Sequence, residues 1–379
     1  MSCGWLLRHV GAVLGVSLLV LDAAPAGADE WTFQTGAHVD AWNGSGQNGR
    51  QILAPFTLAF DTPDWGFSVR GAYGNYERSP GDVPRGSITG FTDTTVSGYY
   101  RLTGAGFEVQ LGLGLDTPTG VSRLRNDQLA ALTDEDLVTL DRFGEGLDIN
   151  PTIVIYRNFG AVGLGVGFGY LRAGEYDPTR DVPNDDFDPG DELTGALLGD
   201  VYIADAVRVV ARASYTYITA DQRGGARVFR EGDEVDLRLS AEWRPEPWFV
   251  VLNVRDIVRF KAERPDATGR LLTEPRNSNG NDLRGGVTVG YILSDTWTIA
   301  ASAAVRYVDA NDYAVGDPLR DGGRTKVAFG PSVTWSPTRT FSIAAGVAYF
   351  ILDAEPSPIF PTGGTFRGVH ADLRLTFRF

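Results

Sequence analysis

Seven basic residues in the second half of the chain alternate with apolar neighbours, and their side chains are the ones best suited to chemistry. Guanidinium and ammonium groups attract anions and donate directed hydrogen bonds to carboxylates and phosphates. If these side chains share one face of a sheet, neighbouring strands about 4.8 Å apart would turn them into a positively charged wall. The seven are Arg208, Arg212, Arg238, Arg255, Arg284, Arg306 and Lys326.

An acidic segment, residues 117–147, is the natural counterpart of this basic wall. It reads partly as helix, and we expect it to fold against the wall and form a constriction. In the alternative interpretation, the arginines pair only with acids on adjacent strands, Glu234, Asp236, Glu242 and Asp282, and satisfy each other. The acids of the segment are Asp127, Asp134, Glu135, Asp136 and Asp141.

Histidine is scarce. The chain that follows the N-terminal leader contains only two, His38 and His370. They lie on the first and last predicted strands, which become neighbours if the sheet closes, so Asp40, Asp372 and Arg374 would share their patch. A histidine pair with carboxylates could ligate a divalent metal, but no third strong ligand stands at a fixed spacing. The sequence therefore predicts a polar seam cluster and neither a metal site nor a cofactor.

Apolar residues occupy every second position in the segments that carry these charges. In the last stretch they run from Val369 to Phe379, with polar residues between them. A period of two indicates an extended strand with one apolar and one polar face. About sixteen such strands can be recognised, with fourteen as the alternative, because Pro55, Pro151 and Pro331 interrupt candidate strands and cannot donate to a ladder.

The connections between these strands alternate between short and long. Short turns, such as residues 61–64, alternate with long connections rich in Gly, Pro, Asp and Asn, of which the first spans about residues 44–50. This sorting is typical of barrels with short periplasmic turns and long extracellular loops. We therefore predict an all-β fold, one transmembrane antiparallel β-barrel over residues 29–379, with residues 117–147 folded inward.

The N-terminus and the composition predict export and limit the partners. Arg8 precedes an apolar run at residues 10–21, and Ala26-Gly27-Ala28 offers a cleavage site, so residues 1–28 read as a signal peptide. The only cysteine, Cys3, lies in this leader, which excludes disulfides and cysteine metal sites from the mature chain. The net charge of −14 argues against nucleic acid as a partner.

Three features resemble known membrane proteins. The terminal Phe379 resembles the aromatic residue that closes bacterial outer-membrane barrels, which implies recognition by the barrel-assembly machinery. The acidic segment facing an arginine wall resembles general diffusion porins, which implies a field that orients polar solutes and sets charge selectivity. The third feature is a set of short motifs within residues 93–120.

The motifs are Asp93-Thr94-Thr95-Val96, Tyr100-Arg101-Leu102, the alternating Leu-Gly run at residues 111–115 and Pro118-Thr119-Gly120. They are similar to motifs of the outer-membrane transport proteins named for the meta-pathway of phenol degradation. Asp116-Thr117 departs from the family's usual exit from the strand. The match spans 28 of the 379 residues. It implies a channel for hydrophobic or aromatic compounds and identifies no functional residue.

Other chemistry leaves less trace in the sequence. Residues 177–192 are dense in carboxylates, which suit Ca²⁺, but their spacing is not that of an EF-hand. We therefore predict a solvated surface loop, and the sequence leaves open whether divalent cations bind there or bridge it to lipopolysaccharide. No Gly-x-Ser-x-Gly motif occurs, and no serine-rich segment adjoins His38 or His370, so we predict that the protein is not an enzyme. A lipid hydrolase that uses one of these histidines is the less favoured alternative.

The sequence thus predicts a passive, porin-like channel in the bacterial outer membrane for small anionic or aromatic solutes. Its partners would be outer-membrane lipid, lipopolysaccharide and the solute, and the sequence permits a homo-oligomer. The structural alternative is an anchoring barrel with a plugged lumen.

Overall fold

The computed structural model describes residues 29–79, 85–132, 134–182, 186–204, 206–358, 360 and 362–379. The predicted signal peptide lies outside these residues. Among them, no helix is long and apolar enough to cross a membrane. The elements, in chain order, are β1 (Glu30–Gly44), β2 (Gln47–Asp61), β3 (Trp65–Ser79), β4 (Gly86–Phe91), β5 (Thr94–Gly104), β6 (Phe107–Thr117), α1 (Asn126–Leu129), β7 (Asp148–Phe159), β8 (Val162–Leu171), β9 (Phe187–Asp188), β10 (Glu192–Ala204), β11 (Val207–Ile218), β12 (Ala220–Arg223), β13 (Ala226–Arg230), β14 (Glu234–Trp243), β15 (Trp248–Arg259), β16 (Glu263–Pro265), β17 (Leu271–Thr273), β18 (Asp282–Ile292), β19 (Trp297–Val308), β20 (Arg324–Trp335), β21 (Phe341–Ala354) and β22 (Gly364–Arg378).

Most of these strands close into one antiparallel barrel of sixteen strands. β1 pairs with β2 on one side and with β22 on the other, so the first and last strands are neighbours. β4 and β5 together form the fourth barrel strand, because they pair with successive halves of β3. The predicted fold and strand number are confirmed, and the alternative of fourteen strands is wrong.

The alternation of side chains along the barrel strands separates an apolar outer face from a polar lumen. In β14, Leu237 and Leu239 are 43% and 48% exposed, whereas Asp236 beside them is only 6% exposed. Large exposed apolar residues recur in this way around the barrel. Aromatic rings recur at the strand ends, where Trp297 and Trp335 stack with their centroids 5.9 Å apart, as in the girdles of membrane barrels.

The connections alternate in length as predicted, with one exception. β1 and β2 are joined by a two-residue turn, Ser45 and Gly46, both with positive φ, of 49° and 74°. The sequence predicted a long connection at residues 44–50, and this is wrong because both strands extend further than the apolar alternation does. Asn43 still pairs with Asn48, so polar residues continue the ladder to the turn.

The three prolines that raised doubt about the strand count do lie within strands. The pairing of β1 with β2 is interrupted at Pro55, and the pairing of β20 with β21 is interrupted at Pro331. Pro151 pairs with β6, but β7 meets β8 only from Thr152 onward. Each proline therefore coincides with a gap in the ladder to one neighbour, where no N–H donor is required.

The end of the barrel that bears the long connections carries two further structures. β9, β12, β13, β16 and β17 form a separate five-stranded sheet from three of these connections. Residues 118–147, the lumenal segment, instead pack against the inner surface of the barrel. Leu137, Val138 and Phe143 of this segment are buried in an apolar cluster with Trp42 of β1 and Phe350 of β21. This cluster fixes the segment to one side of the lumen.

Candidate channel constriction

Six basic residues on six adjacent strands lie directly opposite one another across the sheet. The register pairs Arg212 of β11 with Arg238, and Arg238 in turn with Arg255. It continues from Arg255 to Arg284 and onward through β19 to β20 without a gap. We call this set the cation row; its members are Arg212, Arg238, Arg255, Arg284, Arg306 and Lys326.

Two aspartates bridge neighbouring arginines of the cation row. Asp236 Oδ2 accepts from Arg238 Nη2 at 2.5 Å and from Arg255 Nη2 at 2.9 Å. Asp282 Oδ2 accepts from both Arg284 and Arg306 at 2.6 Å. Each aspartate lies two residues before an arginine of its own strand and also contacts an arginine of the next strand. Ion pairs within and between strands therefore hold the row together. Of the four acids named for the alternative interpretation, Asp236 and Asp282 pair with the row, whereas Glu234 pairs with Arg259 and Glu242 with Arg244.

Acids of the lumenal segment contact the far end of the cation row. Glu135 pairs with Arg284 at 3.2 Å and also with Arg306. Asp136 accepts from Arg306 Nη1 and from Arg324 Nε, each at 2.9 Å. The segment thus spans the lumen between the apolar cluster and strands β18 to β20.

Two neighbouring acids of this segment, Asp134 and Asp136, have pKa values shifted in opposite directions. Burial raises the pKa of Asp134 to about 6. Against the same effect of burial, Arg306 and Arg324 lower the pKa of Asp136. Asp136 therefore remains ionised and carries the ion pairs, while Asp134 lies 3.5 Å from Arg324.

The remaining acids of the predicted constriction lie elsewhere. Asp127 is exposed on α1 and pairs with Arg125 at 3.0 Å. Asp141 is largely buried and lies 3.8 Å from Arg142 Nε. Neither joins the contacts of the cation row, so the structure brings together Asp134, Glu135 and Asp136 and leaves Asp127 and Asp141 apart.

Asp141 predicts a pH dependence of stability. Burial raises its pKa to about 7, and Arg142 only partly opposes this. Between pH 6 and 8 the folded protein binds a proton here that the unfolded chain does not bind, so stability falls as pH rises, by about 1.4 kcal/mol over this window. Urea unfolding followed by tryptophan fluorescence should show this slope, and Asp141→Asn should reduce it. An equal slope in the variant would contradict the assignment.

Arg208 was predicted to line the channel but is not part of the cation row. It lies on β11 opposite Glu242 and 3.7 Å from Asp200, four residues from Arg212 toward the short-turn end. Arg324, in contrast, belongs to the site although the sequence analysis did not single it out. Its alternation with Lys326 in β20 was the available signal.

The cation row borders a cavity of 840 Å³. Asn253 and Ser240 contribute neutral polar groups to its lining, and Leu198 and Val210 contribute apolar surface beside Arg212. Guanidinium groups with fixed neighbours present several donors to one solute at a small entropic cost. The arrangement can therefore bind and orient a small organic anion.

The predicted seam residues lie on the two strands that close the barrel. The register places His38 opposite Asp372 and Asp40 opposite His370. Asp40 Oδ1 is 2.6 Å from His38 Nε2 and 2.5 Å from His370 Nδ1, and His38 Nδ1 contacts Asp372. We call these four residues the seam cluster. Arg374 lies next along β22 on the same face but does not join these contacts.

Contacts from the lumenal segment to this side of the barrel have no signal in the sequence. The Thr139 N–H donates to Asp40 Oδ2 at 2.7 Å, and the Gln51 side chain exchanges two hydrogen bonds with the Leu140 backbone. Arg78 also donates to the carbonyl of Leu132. These polar residues interrupt no pattern, so only the folded chain reveals their partners.

Comparison with known proteins finds similarity in solved structures only. No model of a known protein family matches the chain, and no curated protein does, so membership of the phenol-pathway family is not shown. The anion-selective porin from Comamonas acidovorans is 13% identical, with 92% of this chain and 99% of that chain covered and a TM-score of 0.41.

Two further structures have similar values. The outer membrane channel DcaP of Acinetobacter baumannii is 11% identical, with 94% and 99% covered and a TM-score of 0.47. A bacterial polysaccharide outer membrane secretin is also 11% identical, with 94% and 100% covered and a TM-score of 0.47. At such values a likeness carries no argument about function.

Proposed function

We propose that the barrel is a passive channel of the bacterial outer membrane for small organic anions, with carboxylates as the main class. The cation row carries this proposal. Its six cations face four contacting carboxylates, Asp236, Asp282, Glu135 and Asp136, so the local charge is positive. The whole chain, by contrast, carries a net charge of −14.

The lining of the cavity supports organic rather than inorganic anions. Leu198 and Val210 lie beside Arg212 and offer apolar surface to a carbon skeleton, while the guanidinium groups take the carboxylate. An aromatic carboxylate would place its ring on the apolar surface and its carboxylate on the guanidinium groups. The aromatic solutes predicted from the sequence would therefore suit this lumen as carboxylates. The lumenal segment would set the size limit.

Ion selectivity of the purified protein tests this function. In a planar bilayer with a KCl gradient, we expect a reversal potential of the sign that anion permeation gives. In liposome swelling, small carboxylates should enter faster than neutral sugars of equal size. Cation selectivity would contradict the proposal, and a closed barrel in both assays would favour the anchoring alternative.

The outer surface supports a location in the outer membrane. Exposed apolar side chains cover the barrel and aromatic rings lie at the strand ends, as lipid and its interface require. Phe379 ends the closing strand with its side chain 69% exposed, which suits recognition by the assembly machinery, and the long connections would meet lipopolysaccharide. Membrane fractionation should recover the protein with the outer membrane; recovery in the soluble periplasmic fraction would contradict this location.

One observation bears on the hydrolase alternative. Thr139 Oγ1 lies 2.5 Å from His38 Nε2, and Asp372 contacts His38 Nδ1, which is the order of a nucleophile, base and acid. However, Asp40 Oδ1 lies at the same nitrogen at 2.6 Å. A carboxylate there holds the proton on Nε2, so this nitrogen cannot accept one from the threonine. We therefore favour a channel that is not an enzyme.

A further inference from the structure

We propose that the seam cluster binds one first-row divalent transition-metal ion, with Zn²⁺ as the representative. The ligands are His38 Nε2, Asp40 Oδ1 and His370 Nδ1, which all lie within 4.8 Å of one another. Two imidazole nitrogens and a carboxylate oxygen are the donors of many three-ligand zinc sites. The sequence predicted no metal here for want of a third ligand, and the fold supplies one.

The register explains why the ligands converge. β1 and β22 each carry a His-x-Asp sequence on the inner face, His38 to Asp40 and His370 to Asp372. Because the strands are antiparallel, each histidine lies opposite the aspartate of the other strand. The two sequences therefore form a compact block around the seam, in which the Asp40 side chain is fully buried and the histidine side chains are 12% and 17% exposed.

The lumenal segment contacts Asp40 through Thr139, and Asp40 lies between the two histidines. Thr139 N–H holds Asp40 Oδ2 at 2.7 Å, which turns Oδ1 toward both imidazoles. Asp372 contacts His38 Nδ1 and so directs the opposite nitrogen into the cluster. Such outer carboxylate and backbone contacts are how proteins orient metal ligands. Thr139 Oγ1, 2.5 Å from His38 Nε2, is placed to complete the coordination.

An ion fits with a small movement. Ligands of a tetrahedral zinc ion lie about 2.0–2.1 Å from the metal and so roughly 3.3 Å from each other. The present separations of 2.5 and 2.6 Å from Asp40 Oδ1 must therefore widen by less than about 1 Å. A cavity of 510 Å³, lined by His38, Asp372 and Arg374, adjoins the cluster and provides an entry path.

Lys326 is the group that competes with the ion. Its Nζ lies 3.1 Å from His370 Nε2, where an ammonium group can only donate. In that state His370 carries its proton on Nδ1, the nitrogen needed for the metal. His370 must therefore move that proton to Nε2, from which Lys326 must turn away, and the proton that Asp40 holds on His38 Nε2 must be released. The cation row and the metal site are thus coupled through this one side chain.

Calorimetric titration of the full-length mature protein, freed of metal by a chelator and held in detergent, tests the site with Zn²⁺. We expect one equivalent to bind, and either His38→Gln or His370→Gln to weaken binding by about a hundredfold or more. Asp372→Asn should weaken it about tenfold or more. Lys326→Gln should strengthen it about tenfold, because a positive charge and a competing donor are removed.

Matched measurements separate this site from adventitious binding. Asp127→Asn removes an exposed carboxylate far from the seam cluster and should leave the affinity unchanged. Electron paramagnetic resonance with Cu²⁺ should show coupling to two nitrogen nuclei, and to one in His370→Gln. Tryptophan fluorescence identifies a variant that fails to fold. Absence of stoichiometric binding, or binding that His370→Gln leaves unchanged in folded protein, would overturn the proposal.

Discussion

Arg238→Glu combined with Arg255→Glu should reverse the ion selectivity of the channel. The two arginines are neighbours in the centre of the cation row, share Asp236 and line the cavity. The double substitution changes the local charge by four units, each worth about 0.6 kcal/mol for an ion about 7 Å away in water. After screening at 0.1 M salt, the anion-to-cation permeability ratio should fall about tenfold.

The reversal potential in a KCl gradient measures this ratio directly. The matched control is Arg208→Glu with Arg244→Glu, which changes the charge equally but near the short-turn end, outside the cation row. We expect the control to keep most of the anion preference. If both double variants shift the potential equally, the overall charge of the barrel sets selectivity and the role of the row is refuted.

Asp134→Asn combined with Asp136→Asn should release the lumenal segment and enlarge the pore. Arg324, whose side chain is only 6% exposed, then loses both carboxylates that contact it from the segment, and Arg306 keeps only Glu135. Breaking a buried ion pair costs about 3–5 kcal/mol. This would change the ratio of docked to released segment by roughly a hundredfold to several thousandfold.

Single-channel recording and proteolysis both report the release. Conductance should rise, larger sugars should enter liposomes, and protease should cleave within residues 118–147 of the reconstituted protein. Asp127→Asn is the control, because this exposed side chain pairs with Arg125 of the same segment and, among the described residues, with no arginine of the barrel wall. Unchanged conductance together with protease resistance would show that the apolar cluster around Leu137 and Phe143 suffices to hold the segment.

The sequence predicts the fold well because the side-chain period of a strand is local information. The alternation in β14, β19 and β22 alone indicates which side chains share a face, and the lengths of the connections indicate the barrel. The misjudged turn at Ser45 and Gly46 has the same origin. There the alternation ends before the strands do, and hydrogen bonding of the backbone continues without an apolar face to mark it.

The site depends on the register, that is, on which residues of neighbouring strands lie opposite each other. The alternation of side chains along one strand does not determine it. Arg208 and Arg212 have the same parity on β11, and only the pairing with β14 places one in the cation row and the other beside Glu242. Asp136 and Arg324 are 188 residues apart and belong to no shared motif. The seam cluster is a partial exception, since the two His-x-Asp sequences stand on the strands that any closed barrel must join.

The short turns at one end of the barrel have a consequence for engineering this protein. Residues 244–247 fix how β14 meets β15, and therefore which two arginines become neighbours. A deletion there would displace half of the row, whereas the connection at residues 309–323 joins two strands whose pairing runs along their full length. We therefore expect a peptide epitope for cell-surface display to be tolerated at Val315 of that connection, which is 87% exposed.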